Sequence, residues 1–227
     1  MTRAVEKEST VAALRLAREI FGRLDAEAQV LRCGGRLVPP PGSIEISFFH
    51  RRCIVSHPDG DVRIEDSPGT LPPWEQVLLL HYLSSTQPVP PEEDPIPFSQ
   101  VPSGVFYDPA FQQRLRKSFL PVFAAKPDLL ASSAAGLGGR AVAGPGDVTV
   151  TIPAFPRITL TFTLWKADEE FPADMSLLLS STIAAYLPTE DIAVLGGLAA
   201  ARLAGRARLA DSCGGGKDSW IVFFEGR

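Results

Sequence analysis

Ile158-Thr159-Leu160-Thr161-Phe162-Thr163-Leu164 is the stretch on which the fold turns. Apolar residues alternate with threonines throughout. A period of two puts every apolar side chain on one face of an extended strand. β-Branched and aromatic residues fit a pleated, half-buried surface, so the segment reads as a strand with an apolar inner face and a half-exposed threonine face. Upstream, Gly144-Pro145-Gly146-Asp147 reads as a turn, and Val148, Val150 and Ile152 as the preceding strand. Downstream, residues 166 to 174 form a polar turn, Leu177-Leu178-Leu179 a buried strand, and residues 181 to 186 a short helical turn. Thr189 is placed to N-cap a long helix, with Glu190 and Asp191 in its first turn and an end near Leu203.

The same order of elements occurs earlier in the chain. Ile44, Ile46 and Phe48 alternate with polar residues, Cys53-Ile54-Val55 forms a second short strand, and Val62 and Ile64 a third after the turn Pro58-Asp59-Gly60-Asp61. A helix then opens at Leu71-Pro72-Pro73-Trp74-Glu75, much as the later one opens at Leu187-Pro188-Thr189-Glu190. Proline suits a first helical turn, where its missing N–H would have no partner. The sequence therefore predicts a β-β-β-α unit used twice, with helices over residues 108 to 123 and 126 to 135 between the copies. Residues 4 to 24 read as an N-terminal helix, and the proline-rich residues 85 to 103 as a surface excursion. The expected fold is α+β: a mostly antiparallel sheet of about six strands with helices packed on it. The expected organisation is an N-terminal helix within residues 1–30, one α+β domain over 31–205 with a helical insertion at 105–136, and a Gly-rich tail over 206–227 carrying a candidate strand at 220–224.

Composition excludes several function classes. Of 227 residues, 45% are apolar, enough for a sizeable core, and the net charge is −4. The basic residues form no stripe, only scatters at Arg114, Arg116 and Lys117 and at Arg202, Arg206 and Arg208, which read as solvated helix faces and not as a nucleic-acid surface. The N-terminus carries charges of both signs and no apolar segment, and the longest apolar run, residues 192 to 201, is about half the ~20 residues of a membrane helix. A cytoplasmic protein that does not enter membranes is expected. The three cysteines are widely spaced, with no C-x-x-C, and read as reduced thiols.

No stretch spells out a catalytic motif. Cys213-Gly214-Gly215-Gly216-Lys217-Asp218-Ser219 resembles the loop of ATP pyrophosphatases, but it lacks the strand before and the helix after that such a loop needs. Gly136, Gly138 and Gly139 follow a helix, so a helix C-cap explains them better than a dinucleotide loop. Asp168, Glu169 and Glu170, with Asp174 nearby, are the densest acidic run and a weak candidate for a hard cation; a solvated hairpin turn is the plainer reading. The candidate cleft consists of Trp74, Glu75, His81, Tyr107, Tyr186, Glu190 and Asp191. If Glu75, Glu190 and Tyr107 converge on one pocket, an enzyme with a carboxylate-lined cleft is favoured; if they lie apart, the glutamates are helix caps.

Five further stretches carry a family resemblance: residues 71–83 from Leu71-Pro72-Pro73-Trp74, residues 104–111 from Gly104-Val105-Phe106-Tyr107, Phe155-Pro156-Arg157-Ile158, residues 164–172 from Leu164-Trp165-Lys166, and residues 186–195 from Tyr186-Leu187-Pro188. Their order resembles the Domain of Unknown Function 3786 family. The resemblance implies a setting in strict anaerobes. It also implies association with iron–sulfur or corrinoid proteins of one-carbon metabolism, hence an accessory or binding module, with no activity or cofactor assigned. The chain departs from the family pattern where Ala184-Ala185-Tyr186 replaces Ser-His-Tyr and where Ser180 replaces an Asp.

Overall fold

The fold comes from a computed structural model that describes residues 2–39, 42–65, 67–90 and 92–212. Two helices open the chain, α1 (Thr2–Phe21) and α2 (Ala26–Cys33). A four-stranded sheet follows: β1 (Arg36–Val38), β2 (Ser43–Phe48), β3 (Arg51–Val55) and β4 (Val62–Ile64), in chain order and antiparallel throughout. It leads into α3 (Pro73–Leu83). After the short β5 (Ile96–Pro97) come α4 (Gly104–Phe123) and α5 (Leu129–Ala135). A second meander follows: β6 (Arg140–Val142), β7 (Val148–Phe155), β8 (Ile158–Trp165) and β9 (Asp174–Leu179). β5 joins its β9 edge, giving an antiparallel sheet ordered β5-β9-β8-β7-β6. The last helix is α6 (Thr189–Ser212).

The α+β expectation holds. The strands are divided between two sheets of four and five, not gathered into one sheet of about six. Among the described residues, side-chain packing and one backbone bridge join the sheets. The Phe49 N–H donates to the Ala154 carbonyl at 2.9 Å, and Phe48 stacks on Phe155 at 4.8 Å between ring centroids. Tyr82 of α3 lies on the other side of Phe155, 4.1 Å away and nearly parallel. One aromatic column thus runs from β2 through β7 to α3. Both helices entered through Leu-Pro are buried along their length: α3 by Leu78, Leu79, Leu80 and Leu83, and α6 by Ile192, Leu195, Ala199 and Leu203. Their first turns match, since the Gln76 N–H donates to the Pro72 carbonyl and the Ile192 N–H to the Pro188 carbonyl, each at 3.0 Å.

Several element boundaries differ from expectation. The N-terminal helix ends at Phe21, and a separate α2 starts after Asp25, whose carboxylate accepts from the Ala28 N–H at 2.7 Å. The cap makes a new helix where periodicity alone suggests none. β1 and β6 are three-residue edge strands, too short for alternation to register. α6 continues to Ser212 instead of ending near Leu203, because Ala204 and Ala207 stay buried and carry its apolar face onward into the region expected to be a tail. The candidate strand at 220–224 and the Cys213 loop lie outside the described residues.

α4 and α6 run side by side in the same direction. The Thr189 hydroxyl donates to the Pro102 carbonyl at 2.6 Å at one end, and Lys126 pairs with Asp211 at the other. Thr189 therefore ties two elements together instead of capping its own helix. Close approach comes at Gly196, where an added Cβ would lie 2.8 Å from the Phe111 ring and 3.0 Å from Leu177. The β2–β3 hairpin turns through Phe49 (φ +47°) and His50 (φ +68°). Both are left-handed, the geometry that usually selects Asn-Gly. For an aromatic this is a strained conformation; burial of the Phe49 ring and the bond to Ala154 offset it.

Candidate functional site

The helices entered through Leu-Pro carry the acidic residues singled out from sequence, and side chains bridge the helices in antiparallel sense. Near the start of α3, the Glu75 carboxylate accepts from Arg202 Nη2 of α6 at 2.5 Å. Near the end of α3, His81 Nδ1–H donates to Asp191 Oδ2 of α6, also at 2.5 Å. The first pair is interior: the Glu75 side chain is 3% exposed and Arg202 12%. The Arg202 guanidinium also lies over the rings of Phe48 and Phe49, 5.0 and 4.7 Å from their centroids. Burial pushes its pKa below the usual arginine range, with Glu75 opposing. Glu75 is therefore no solvent-facing helix cap. A carboxylate in a first turn is well placed against the helix dipole, but this one is buried and needs a full cation.

The remaining cleft candidates do not join it. Glu190 is exposed one residue before Asp191. Trp74 is 42% exposed, and Tyr107 is 53% exposed at the start of α4 beside Phe106 at 82%. No hydrogen bond or ion pair among the described residues links Tyr107, Trp74 or Glu190 to Glu75. Two open cavities are found elsewhere. One, of about 800 Å³, lies between α4 and the β8–β9 hairpin, with Arg116, Trp165 and Phe171 in its wall. The other, of about 770 Å³, follows the acidic loop from Glu92 to Gln100.

Tyr186 packs at a different place, on the outer face of Tyr82 at 5.3 Å. Tyr82 locks this region. Its hydroxyl donates to the Cys33 carbonyl at 2.7 Å and accepts from the Arg157 N–H at 3.2 Å, while Cys33 Sγ–H donates to the Tyr82 carbonyl at 3.3 Å. Burial raises the phenol well above the usual tyrosine range and pushes the Cys33 thiol up to about 12. Arg32 extends from α2 over the Tyr186 ring, 5.8 Å from its centroid. Arg32, Cys33 and Arg157 escape a sequence search because α2, the β7–β8 turn and the segment before α6 meet only in the fold. The one available signal was the Phe155-Pro156-Arg157 stretch itself.

The acidic turn caps itself. Asp168 Oδ1 accepts from the Glu170 and Phe171 N–H groups at 2.9 and 2.7 Å, bonds that lower its pKa. Glu169 and Glu170 are exposed. Asp174 is engaged by Arg116 through Nε at 2.7 Å and Nη2 at 3.3 Å. Among the described residues no group of three His, Cys, Asp or Glu side chains is placed to hold a metal. The histidines lie at separate points: His50 on the hairpin tip, His57 bonded to the Leu24 carbonyl at 2.8 Å, and His81 on Asp191.

Two antiparallel meanders, each feeding a buried helix through Leu-Pro and joined by the column Phe48, Phe155, Tyr82, define an α+β protein whose acidic residues brace its helices. The chain belongs to the family described as domain of unknown function (DUF3786), whose sequence pattern matches residues 25–202. No curated protein and no solved structure matches it. Among the described residues no helix is long and apolar enough to cross a membrane.

Proposed function

We propose that this protein is an accessory module that binds a partner protein. One observation carries the reading: the carboxylates that an enzymatic cleft would need are held in helix-to-helix pairs, Glu75 with Arg202 and Asp191 with His81, while Glu190 and Tyr107 stand apart from them. A general acid or base must reach a substrate proton, and Glu75 is closed off from any. The contact surface is the first turn of α4, where Val105, Phe106 and Tyr107 are exposed together. Aromatic side chains grouped on a surface favour protein contact, and the Thr189–Pro102 bond fixes this turn against the start of α6.

The partner class rests on the family resemblance alone: an iron–sulfur or corrinoid protein of anaerobic one-carbon metabolism, met in the cytoplasm. Calorimetric titration of the oxygen-free protein with a purified corrinoid iron–sulfur protein tests it. Saturable heat, weakened at least tenfold by Phe106→Ala, is the expected result. No heat at about 50 µM of each protein, where even a Kd of 10 µM would show, contradicts it.

The two meander-plus-helix units read as copies of one ancestral unit. Each follows a short helix ended at a glycine, Gly34 after α2 and Gly136 after α5, and each enters its long helix with the same Pro carbonyl bond. An experimental structure in which residues 36–83 and 140–203 fail to superpose would remove this reading.

A further inference from the structure

Two guanidiniums near Tyr186 have no carboxylate partner among the described residues. Among the described residues Arg32 Nη2 reaches only neutral oxygens, Ser85 Oγ and the Ala185 carbonyl, both at 3.4 Å, and its Nε is buried without a hydrogen bond. Arg157, on the exposed two-residue turn between β7 and β8, makes no side-chain hydrogen bond or ion pair among the described residues. Arg32 lies 5.8 Å from the Tyr186 ring centroid, and Arg157 is near enough to act on Tyr186 electrostatically. Tyr186 is 5% exposed, and its hydroxyl, which has no hydrogen-bond partner among the described residues, keeps access to solvent. A solvent-reached hydroxyl without a protein partner, beside two cations, is open to a ligand oxygen. Both arginines act on that hydroxyl electrostatically, Arg157 more strongly, against the burial that raises its pKa.

The backbone is shaped to bring these groups together. Gly34 ends α2 at φ +71°, and a Cβ there would sit 3.0 Å from Pro156 Cβ and 3.3 Å from Arg157 Nε. Glycine thus lets the Pro156-Arg157 turn close on the end of α2. One acid acts on Tyr186, Glu92 on the neighbouring loop; it is exposed and pairs with neither arginine. The Cys33 thiol stays protonated and adds no charge.

We propose that Arg32, Arg157 and the Tyr186 hydroxyl bind the phosphate group of a small molecule. Planar guanidinium forks match the spacing of phosphate oxygens, and two uncompensated cations favour a dianion over a carboxylate. The hydroxyl supplies a third, neutral donor. None of these three residues belongs to the α4 surface of Val105, Phe106 and Tyr107, so failure of the phosphate site leaves the partner-binding reading intact.

The test is a titration of the full chain with inorganic phosphate, followed by amide and arginine Nε NMR shifts, against sodium chloride and acetate at matched ionic strength. Expected are saturable shifts at Gly34, Arg157 and Tyr186, with acetate at least fivefold weaker. Tyr186→Phe keeps the ring stack and removes only the unpartnered hydroxyl, so it should leave the melting temperature unchanged while weakening phosphate at least threefold. Arg157→Ala, on an exposed turn, should weaken phosphate at least fivefold. No saturation by about 20 mM phosphate, well above a millimolar Kd, overturns the proposal. So does acetate binding as tightly as phosphate, or undiminished binding in both variants.

Discussion

Arg202 reaches from the second half of α6 to Glu75 in the first turn of α3, and their charged atoms meet at 2.5 Å inside the protein. Ions desolvated this far attract each other strongly, but most of that attraction offsets the cost of removing them from water. Removing one partner strands the other. Glu75→Ala and Arg202→Ala should each destabilise the fold by about 3 kcal/mol or more, read as a shift in the midpoint of urea unfolding. Replacing both together with Leu and Met should recover most of that loss.

Neighbouring glycines of α6 should respond in opposite directions. Gly196→Ala drives a methyl into Phe111 and Leu177 where α4 and α6 touch, and overpacking of this kind costs about 1–3 kcal/mol. Gly197 has nothing within 4 Å of an added Cβ. Alanine there should stabilise the helix by about 0.5–1 kcal/mol. Thermal melts of the two variants check both signs.

The buried thiols should be inert until the protein opens. Burial pushes Cys33 up to about 12 and Cys53 up to about 11, leaving almost no thiolate at pH 8. In a Cys213→Ser background, a disulfide reagent should find no fast-reacting thiol in the folded protein and two after denaturation. The linkage sign follows: folded pKa values above the unfolded one make this contribution complete below about pH 8.5 and progressively lost as pH rises through 11 and 12. Cys53→Ala should therefore flatten the alkaline limb of the stability profile.

The acid limb should report Asp174. Arg116 holds this carboxylate below the usual range, so its pairing stabilises the fold above about pH 4 and is lost as pH falls through the depressed folded value. Both side chains are well exposed to solvent, which limits the effect to under about 1 kcal/mol. Arg116→Ala should lower stability at pH 7 by that amount and leave it unchanged near pH 2.

Local signals placed most of the fold in the sequence. Alternation from Ile158 to Leu164 marked β8 correctly, and Leu71-Pro72 and Leu187-Pro188 marked both helix entries. Elements set by a cap or by tertiary pairing were hidden: α2 begins at the Asp25 cap, and β1 and β6 are strands only because β2 and β7 pair with them. The site was less legible. Glu75 and Asp191 stood out as acids, but their partners lie 127 and 110 positions away in the chain. Distances of that kind leave no local pattern. The Phe49-His50 turn was equally invisible, because nothing in a Phe-His pair suggests two left-handed residues.

The most direct measurement of whether the α3 and α6 carboxylates serve structure is a double-mutant cycle on Glu75 and Arg202 by urea denaturation. The two positions are predicted to couple by about 2 kcal/mol or more, with each single variant keeping its secondary structure. Additive effects, or a Glu75→Gln protein as stable as the parent, would show that the carboxylate is free of its partner and available for chemistry.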